Sequence, residues 1–430
     1  MRKIVVFGPG PKFKGGIANY TVSLAKALDK IENTKVYIVS WTNQYPSIIP
    51  RDFIDKSSKS DLLEGTNIEV IYVTDYNNPF TWNQTVNIIK EINPDKIIFQ
   101  WAISIQGLPL GYICNKLKKE TNAEIIFDLH VVKQKETSQI DNIFINYALS
   151  KPHTFVVHAL KTYNELEFLF PNTKFYLSLD GSRNNSPNTK TVLKLYHPIY
   201  DMFKPNPNLN IEALKNEFGL NKYVFLFFGF IRKYKGLHNV ILAFNELLKK
   251  RQDVSLLFVG ESFWNTLNDK KLSTKLKKAL FNTFKKVLLK KSDNEENYNP
   301  LELIKILNIE KYVKVVNEYV PNEDVHKYFQ ISDVNVLFYL TATPSGVESI
   351  SYNFNMPIIA TAVGHFPETI KDGFNGYLAE PENIKSMAEA MEKAITNPID
   401  RNNVKQTAEK MSWHNYALNI IKDILWNTIQ

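Results

Sequence analysis

Three glycine-bearing loops hold the residues best suited to chemistry. The first, Gly8-Pro9-Gly10-Pro11-Lys12-Phe13-Lys14-Gly15-Gly16-Ile17-Ala18-Asn19-Tyr20, follows an apolar run and opens a helical one. A strand-to-helix turn of this kind offers backbone amides and the positive end of a helix to a phosphate. Its glycines at 8, 10, 15 and 16 miss the spacing of a dinucleotide fingerprint, and no acidic residue ends the second strand. The pair Gly15-Gly16 instead permits close backbone approach by a ligand; the plain alternative is a surface turn. The second loop, Phe228-Gly229-Phe230-Ile231-Arg232-Lys233-Tyr234-Lys235-Gly236-Leu237, places Arg232 and Lys235 after another apolar run. Arg offers phosphate oxygens a planar fork and Lys a mobile point charge, although basic loop residues are commonly just solvated. The third, Thr341-Ala342-Thr343-Pro344-Ser345-Gly346-Val347, presents the amides of Gly346 and Val347 at a helix start, with Ser345 able to serve as N-cap.

The elements that must position these loops alternate along the chain. Strands are expected at 4–7, 35–40, 68–73, 96–100, 124–129 and 154–158, with helices near 20–28, 82–92 and 110–119. Residues 184–190 read as a loop and 196–207 as an irregular connector. A second series follows, with strands at 223–230, 254–259, 312–316, 334–340, 357–362 and 376–378, and helices at 237–248 and 348–354. Continuous apolar runs mark strands buried on both faces, and strand–helix alternation specifies a parallel sheet. The fold class is therefore α/β, with two doubly wound, Rossmann-like domains at 1–200 and 201–412. Their ligand sites are expected at the carboxyl ends of the strands, in the cleft between the domains.

Composition bounds the function class. The 430 residues exceed one ordinary domain of roughly 100–200 residues. Hydrophobic residues make up 44% and charged residues 22%, which excludes a disordered or collagen-like chain. Cys114 is the single cysteine, so no disulfide framework or multi-cysteine metal site exists, and a reducing, cytoplasmic compartment fits. Only four apolar residues precede the first turn, too few for a signal peptide, and no apolar window is long enough for a membrane span.

The loop sequences together resemble retaining glycosyltransferases of family 4 (glycosyl transferases group 1), which have the GT-B fold. The resemblance rests on Lys14-Gly15-Gly16-Ile17-x-x-Tyr20-Thr21, Tyr196-His197-Pro198, Phe228-Gly229-x-Ile231-Arg232-x-Tyr234-Lys235-Gly236, Ser345-Gly346-Val347-x6-Phe354-x2-Pro357-Ile358-Ile359-Ala360-Thr361-x-Val363-Gly364, and Ser412-Trp413. It implies transfer of a sugar from a nucleotide-sugar donor to an acceptor without an obligatory metal or other cofactor. In that reading Arg232 and Lys235 hold the donor diphosphate and stabilise the leaving nucleotide. Ser345, Gly346, Val347 and Glu348 bind the donor, while Gly15 and Gly16 close from the other domain. His130, ending the run 125–129, matches a family histidine beside the donor sugar. Asp128 reads as a sheet-edge residue rather than a catalytic one. The last stretch, 413–430, is expected to pack back onto the first domain.

One departure stands out. Counting back from Pro357, two places where many family members carry glutamate hold Ala342 and Ile350. Glu348 lies two residues before the second place, about 200° away around a helix. Two alternatives to a transferase stand beside this reading: a GT-B nucleotide-sugar epimerase, which would want cleft carboxylates that these loops supply few of, and a catalytically degenerate donor-binding or scaffold protein, motivated by Ala342 and Ile350.

The chain also carries a basic insertion, about 263–300. Residues 270–291 contain nine lysines, among them Lys270, Lys271, Lys277, Lys278, Lys285 and Lys286, and no acidic residue. The net charge of +8 is concentrated there, so the remainder is close to neutral. Leu272, Leu276, Leu280, Phe284 and Leu288 recur every four residues, drawing an apolar stripe along a helix. A basic amphipathic helix suits an anionic membrane surface, where a lipid-linked glycan acceptor resides, and gives a peripheral location on the cytoplasmic face. The plain alternative is packing on protein with solvated lysines. Nucleic acid fits poorly, since the stretch lacks Arg and offers only two phenylalanines for stacking.

Overall fold

The computed structural model describes all residues except 46–52, 56–60, 134–137, 185, 262–297, 345 and 423–430. The basic insertion and Ser345 therefore lie outside the described residues. The rest divides into two compact units: Met1–Tyr196 with the helix that starts at Trp413, and the described residues from His197 to Ser412.

Unit one is an eight-stranded sheet in the order β3-β2-β1-β4-β5-β6-β8-β7. Its strands are β1 (Arg2–Phe7), β2 (Thr34–Asn43), β3 (Glu69–Asp75), β4 (Lys96–Trp101), β5 (Glu124–Leu129), β6 (Thr154–Val157), β7 (Lys174–Ser178) and β8 (Thr189–Lys194). Every pairing is parallel, and helices make most of the crossovers; β7 and β8 are joined by a loop instead. These helices are α1 (Gly16–Asp29), α2 (Pro79–Ile92), α3 (Gly107–Glu120), α4 (Gln139–Leu149) and α5 (Leu160–Leu169). β4 is buried along its whole length, and Phe7, Phe99 and Phe127 pack as tilted rings across β1, β4 and β5 in one core. The C-terminal helix Trp413–Ile421 lies on α1. Asp128, expected at a sheet edge, is instead interior, because β5 has β4 on one side and β6 on the other.

Unit two has six parallel strands in the order β11-β10-β9-β12-β13-β14. They are β9 (Tyr223–Phe228), β10 (Val254–Val259), β11 (Val313–Val316), β12 (Val334–Leu337), β13 (Ile358–Thr361) and β14 (Gly376–Ala379). Val224, Phe225, Leu226 and Phe227 are at most 1% exposed, because α-helices cover both faces. Each large apolar side chain so buried contributes roughly 1.5–3 kcal/mol.

In both units the strand order reverses inside the sheet, between β1 and β4 and between β9 and β12; unit one reverses again at its edge, where β7 lies outside β8. Loops leaving the two reversal strands diverge to opposite faces, opening a crevice at the strands' carboxyl ends. The glycine-rich first loop follows β1, and the second and third loops follow β9 and β12. No helix among the described residues is long and apolar enough to cross a membrane.

Candidate active site

The second and third loops meet at the reversal point of unit two. Strand β9 stops at Phe228 because Gly229 takes φ +103, a backbone state that side-chain-bearing residues avoid. A Cβ on Gly229 would lie 2.8 Å from Lys235 Nζ and 3.5 Å from Val347 Cγ2. The missing side chain is thus the space into which the Lys235 ammonium reaches. Gly236, at φ +64, lets the turn close on β12: its Cβ would fall 2.0 Å from the Phe338 carbonyl. The Leu340 amide donates to the Tyr234 carbonyl at 2.7 Å, fixing one loop to the other.

Lys235 is only 8% exposed and has no carboxylate partner among the described residues. Burial, with the Arg232 guanidinium adding repulsion, pulls its pKa down to about 8. Arg232 is half-buried beside the Tyr234 ring. Two neighbouring cations with loss of hydration define a site that favours a multiply charged anion.

The helix Gly346–Asn353 begins at this point, two residues earlier than its expected start. Gly346 is required by packing, since a Cβ there would lie 2.6 Å from the Tyr200 ring. His197 joins the same helix, its Nδ1 lying 2.7 Å from Ser349 Oγ. His197 of the Tyr196-His197-Pro198 motif therefore braces the helix that follows the third loop. Ala342 and Ile350 are buried at 1% and 6% exposure, as apolar residues at those places must be. Glu348, expected at the donor, is instead turned inward at 4% exposure. Its carboxylate oxygens accept from His365 and Thr369 inside unit two, consistent with its helical phase.

In unit one the first loop and the ends of β4, β5 and β6 build a polar cluster. Gly15 sits at φ +104 ahead of α1, and nothing lies within 4 Å of where its Cβ would be. Gly16, the first residue of α1, is exposed. Strand register brings Gln100 opposite Asp128, with His130 and His158 just beyond the strand ends. His130 Nε2 and Gln100 Oε1 lie 2.8 Å apart, so the nitrogen donates and carries the proton. Loss of hydration lowers the His130 pKa to about 4, only partly offset by Asp128, so the ring is neutral near pH 7 and Nδ1 is an acceptor.

Asp128 is fully buried and bound by His158 Nε2 at 3.0 Å and by the Tyr416 hydroxyl at 3.0 Å. Burial alone would raise its carboxyl pKa; His158 and the Tyr416 hydrogen bond reverse this and hold it below the ordinary value. Tyr20 packs edge-on against His130 at 4.6 Å and against Trp413 at 4.9 Å, linking the glycine loop, the histidine and the last helix. Gln100, His158 and Tyr416 had no signal in a linear reading, because four separate elements supply the cluster. Among the described residues no group of three or more His, Cys, Asp or Glu side chains is arranged to hold a metal.

Comparison with known proteins agrees with this fold. Residues 210–411 match the family Glycosyl transferases group 1. Spore coat protein SA of Bacillus subtilis (strain 168) is 24% identical over 246 residues, which are 54% of this chain and only 57% of that protein's length. Among solved structures, a glycosyltransferase from Rickettsia africae ESF-5 superposes with TM-score 0.66 at 17% identity, covering 99% of both chains. Anabaena Alr3699/HepE in complex with UDP-glucose gives TM-score 0.65 at 15% identity, covering 98% of both. The chain has the GT-B fold, and residues 210–411 are similar to the glycosyl transferases group 1 family.

Proposed function

We propose that the protein is a retaining, hexosyltransferase-type glycosyltransferase. It moves a sugar from a nucleoside-diphosphate sugar to a glycan or lipid-linked glycan in polysaccharide or glycoconjugate biosynthesis, with no metal or other cofactor. The observation that carries this reading is Lys235, a buried ammonium with no carboxylate partner at the reversal point of unit two. Burying such a charge is costly unless an anion arrives.

In the reaction the bond between the anomeric carbon and the β-phosphate oxygen breaks, and the electron pair leaves with the nucleoside diphosphate. The acceptor hydroxyl oxygen bonds to that carbon on the face from which the phosphate departed, and its proton passes to the leaving phosphate or to solvent. Arg232 and Lys235 neutralise the charge that develops on the leaving group. The amides at Gly346 and Val347 add to that neutralisation. Gly15 and Gly16 bring backbone without side chains to the start of α1, and neutral His130 accepts a hydrogen bond from a sugar hydroxyl through Nδ1. Anabaena Alr3699/HepE, which has the same fold, was crystallised with UDP-glucose, which supports a nucleotide-sugar donor. A peripheral site on an anionic membrane rests on the lysine-rich sequence 270–291 alone.

A thermal-shift panel of UDP-, GDP-, dTDP- and CMP-sugars tests the assignment. A donor at 100 times its Kd stabilises by about 2.7 kcal/mol. The donor so found should be turned over by the native protein and at least about 100-fold more slowly by Arg232→Ala. Stabilisation without turnover identifies a donor-binding protein instead, and near-native transfer by Arg232→Ala removes the assignment.

A further inference from the structure

Unit one contains a second basic site, at the opposite end of its sheet from the glycine-rich loop. A cavity of about 740 Å³ opens where β5, β6 and β8 begin, lined by Lys118, Glu124, His153, Arg183 and Lys190 among others. Its one carboxylate, Glu124, is already neutralised twice, by Lys96 at 2.6 Å and by Arg183 at 3.0 Å. Arg183 is further committed to the carbonyls of Gly181, Asn419 and Ile420. Lys118, Lys190 and the adjacent Lys151 have no carboxylate partner among the described residues. Lys190 and Lys118 each spend one N–H on a carbonyl at the end of α4, Ser150 at 2.7 Å and Lys151 at 3.1 Å. Two N–H groups of each ammonium remain. Burial first, then repulsion by Lys118, lowers the Lys190 pKa to about 8; Cys114 opposes this and Lys151 adds a smaller repulsion.

The rest of the lining is uncharged, with Ala123 and Pro152 apolar and the others polar. Asn122, Asn172 and Asn188 with Thr173 and Thr189 supply amides and hydroxyls suited to a polyhydroxylated ligand. The volume lies within the roughly 300–1,000 Å³ range of small-molecule sites, far larger than a bare anion needs. We propose that this cavity binds a phosphorylated sugar, its phosphate held by Lys118 and Lys190 and its hydroxyls by the asparagine and threonine side chains. The site is separate from the loops assigned to the donor and does not depend on that assignment.

Isothermal titration calorimetry on the full chain tests it, with glucose 6-phosphate as probe and glucose and inorganic phosphate as comparisons. Glucose 6-phosphate should bind more tightly than either comparison. Its Kd should weaken at least tenfold in Lys118→Gln/Lys190→Gln and stay unchanged in Arg232→Ala. Asn172→Asp, which places a carboxylate in the lining without touching the α4 carbonyls, should weaken it as well. This variant decides the question if the double variant fails to fold. Absence of binding at 10-fold above millimolar probe, equal affinity for inorganic phosphate, unchanged affinity in the lining variants, or loss in Arg232→Ala overturns the proposal. So does a double variant that only melts earlier, which would limit the lysines to capping α4.

Discussion

Replacing Lys235 by Met separates the cost of the buried ammonium from its use. The lysine pKa falls from 10.5 to about 8 on folding, through burial and the neighbouring Arg232. At 1.36 kcal/mol per unit, holding the charge there costs about 3 kcal/mol, an order-of-magnitude figure. Because the folded value is the lower one, the unfolded chain binds the extra proton between about 8 and 10.5. The cost is complete below about pH 8 and disappears as pH rises through that window. Lys235→Met, similar in length and uncharged, should therefore melt several degrees above the native protein at pH 7 when no ligand is present. The gap should narrow by pH 10. With UDP the order reverses, since only the native protein gains the diphosphate's countercharge. UDP binding at pH 8 should also take up about half a proton, read from calorimetry in buffers of different ionisation enthalpy, because Lys235 is half-charged there before binding. A variant no more stable than the native chain, together with proton uptake that survives in it, refutes the placement of the diphosphate at Lys235.

Gly229→Ala should cost about 1–2 kcal/mol in urea unfolding from φ +103 alone, and should weaken UDP binding by displacing the Lys235 ammonium 2.8 Å away; unchanged UDP affinity counts against the site. Tyr416→Phe removes a donor from buried Asp128 and should destabilise unit one by about 1.5–3 kcal/mol, most visibly above the carboxyl's lowered pKa, with urea unfolding at pH 7 as the measure. Deleting 268–296, which lies outside the described residues, should abolish flotation with anionic liposomes while leaving turnover of a soluble acceptor intact. Equal flotation with and without the segment removes the membrane reading.

The strands of unit two were the easiest to read in the sequence. Residues 254–259 and the helix Leu237–Leu248 form runs whose apolar pattern is complete without knowledge of their neighbours. Strand ends depart from the apolar pattern where backbone geometry overrides side-chain type. Phe230 belongs to the apolar run that begins at 223, but the φ of Gly229 turns the chain first. The Tyr339 amide bonds back to Leu337, which ends β12 before residue 340. Helix starts at Gly107 and Gly16 were missed because glycine and proline suggest loops, although both are tolerated in a first turn. β8 begins at Thr189, inside a stretch whose Asn, Ser and Pro content reads as loop, and β7 precedes it with an exposed lysine, three partly buried residues and a buried serine. At the site, Arg232, Lys235 and Gly229 were legible because one loop carries all three. Gln100, Asp128, His158 and Tyr416 meet only through strand register and a helix contributed 288 residues after Asp128, and no short motif records such a meeting.

The helix Trp413–Ile421 also sets an order for biogenesis. Unit two is encoded as an insertion within unit one, so a ribosome has released all of it before the residues that complete unit one emerge. Until then Asp128 lacks the Tyr416 hydroxyl and Arg183 lacks the carbonyls of Asn419 and Ile420. The domain that begins first is thus the last to be finished, and a nascent chain stalled near residue 412 should display a protease-resistant unit two tethered to an incomplete unit one.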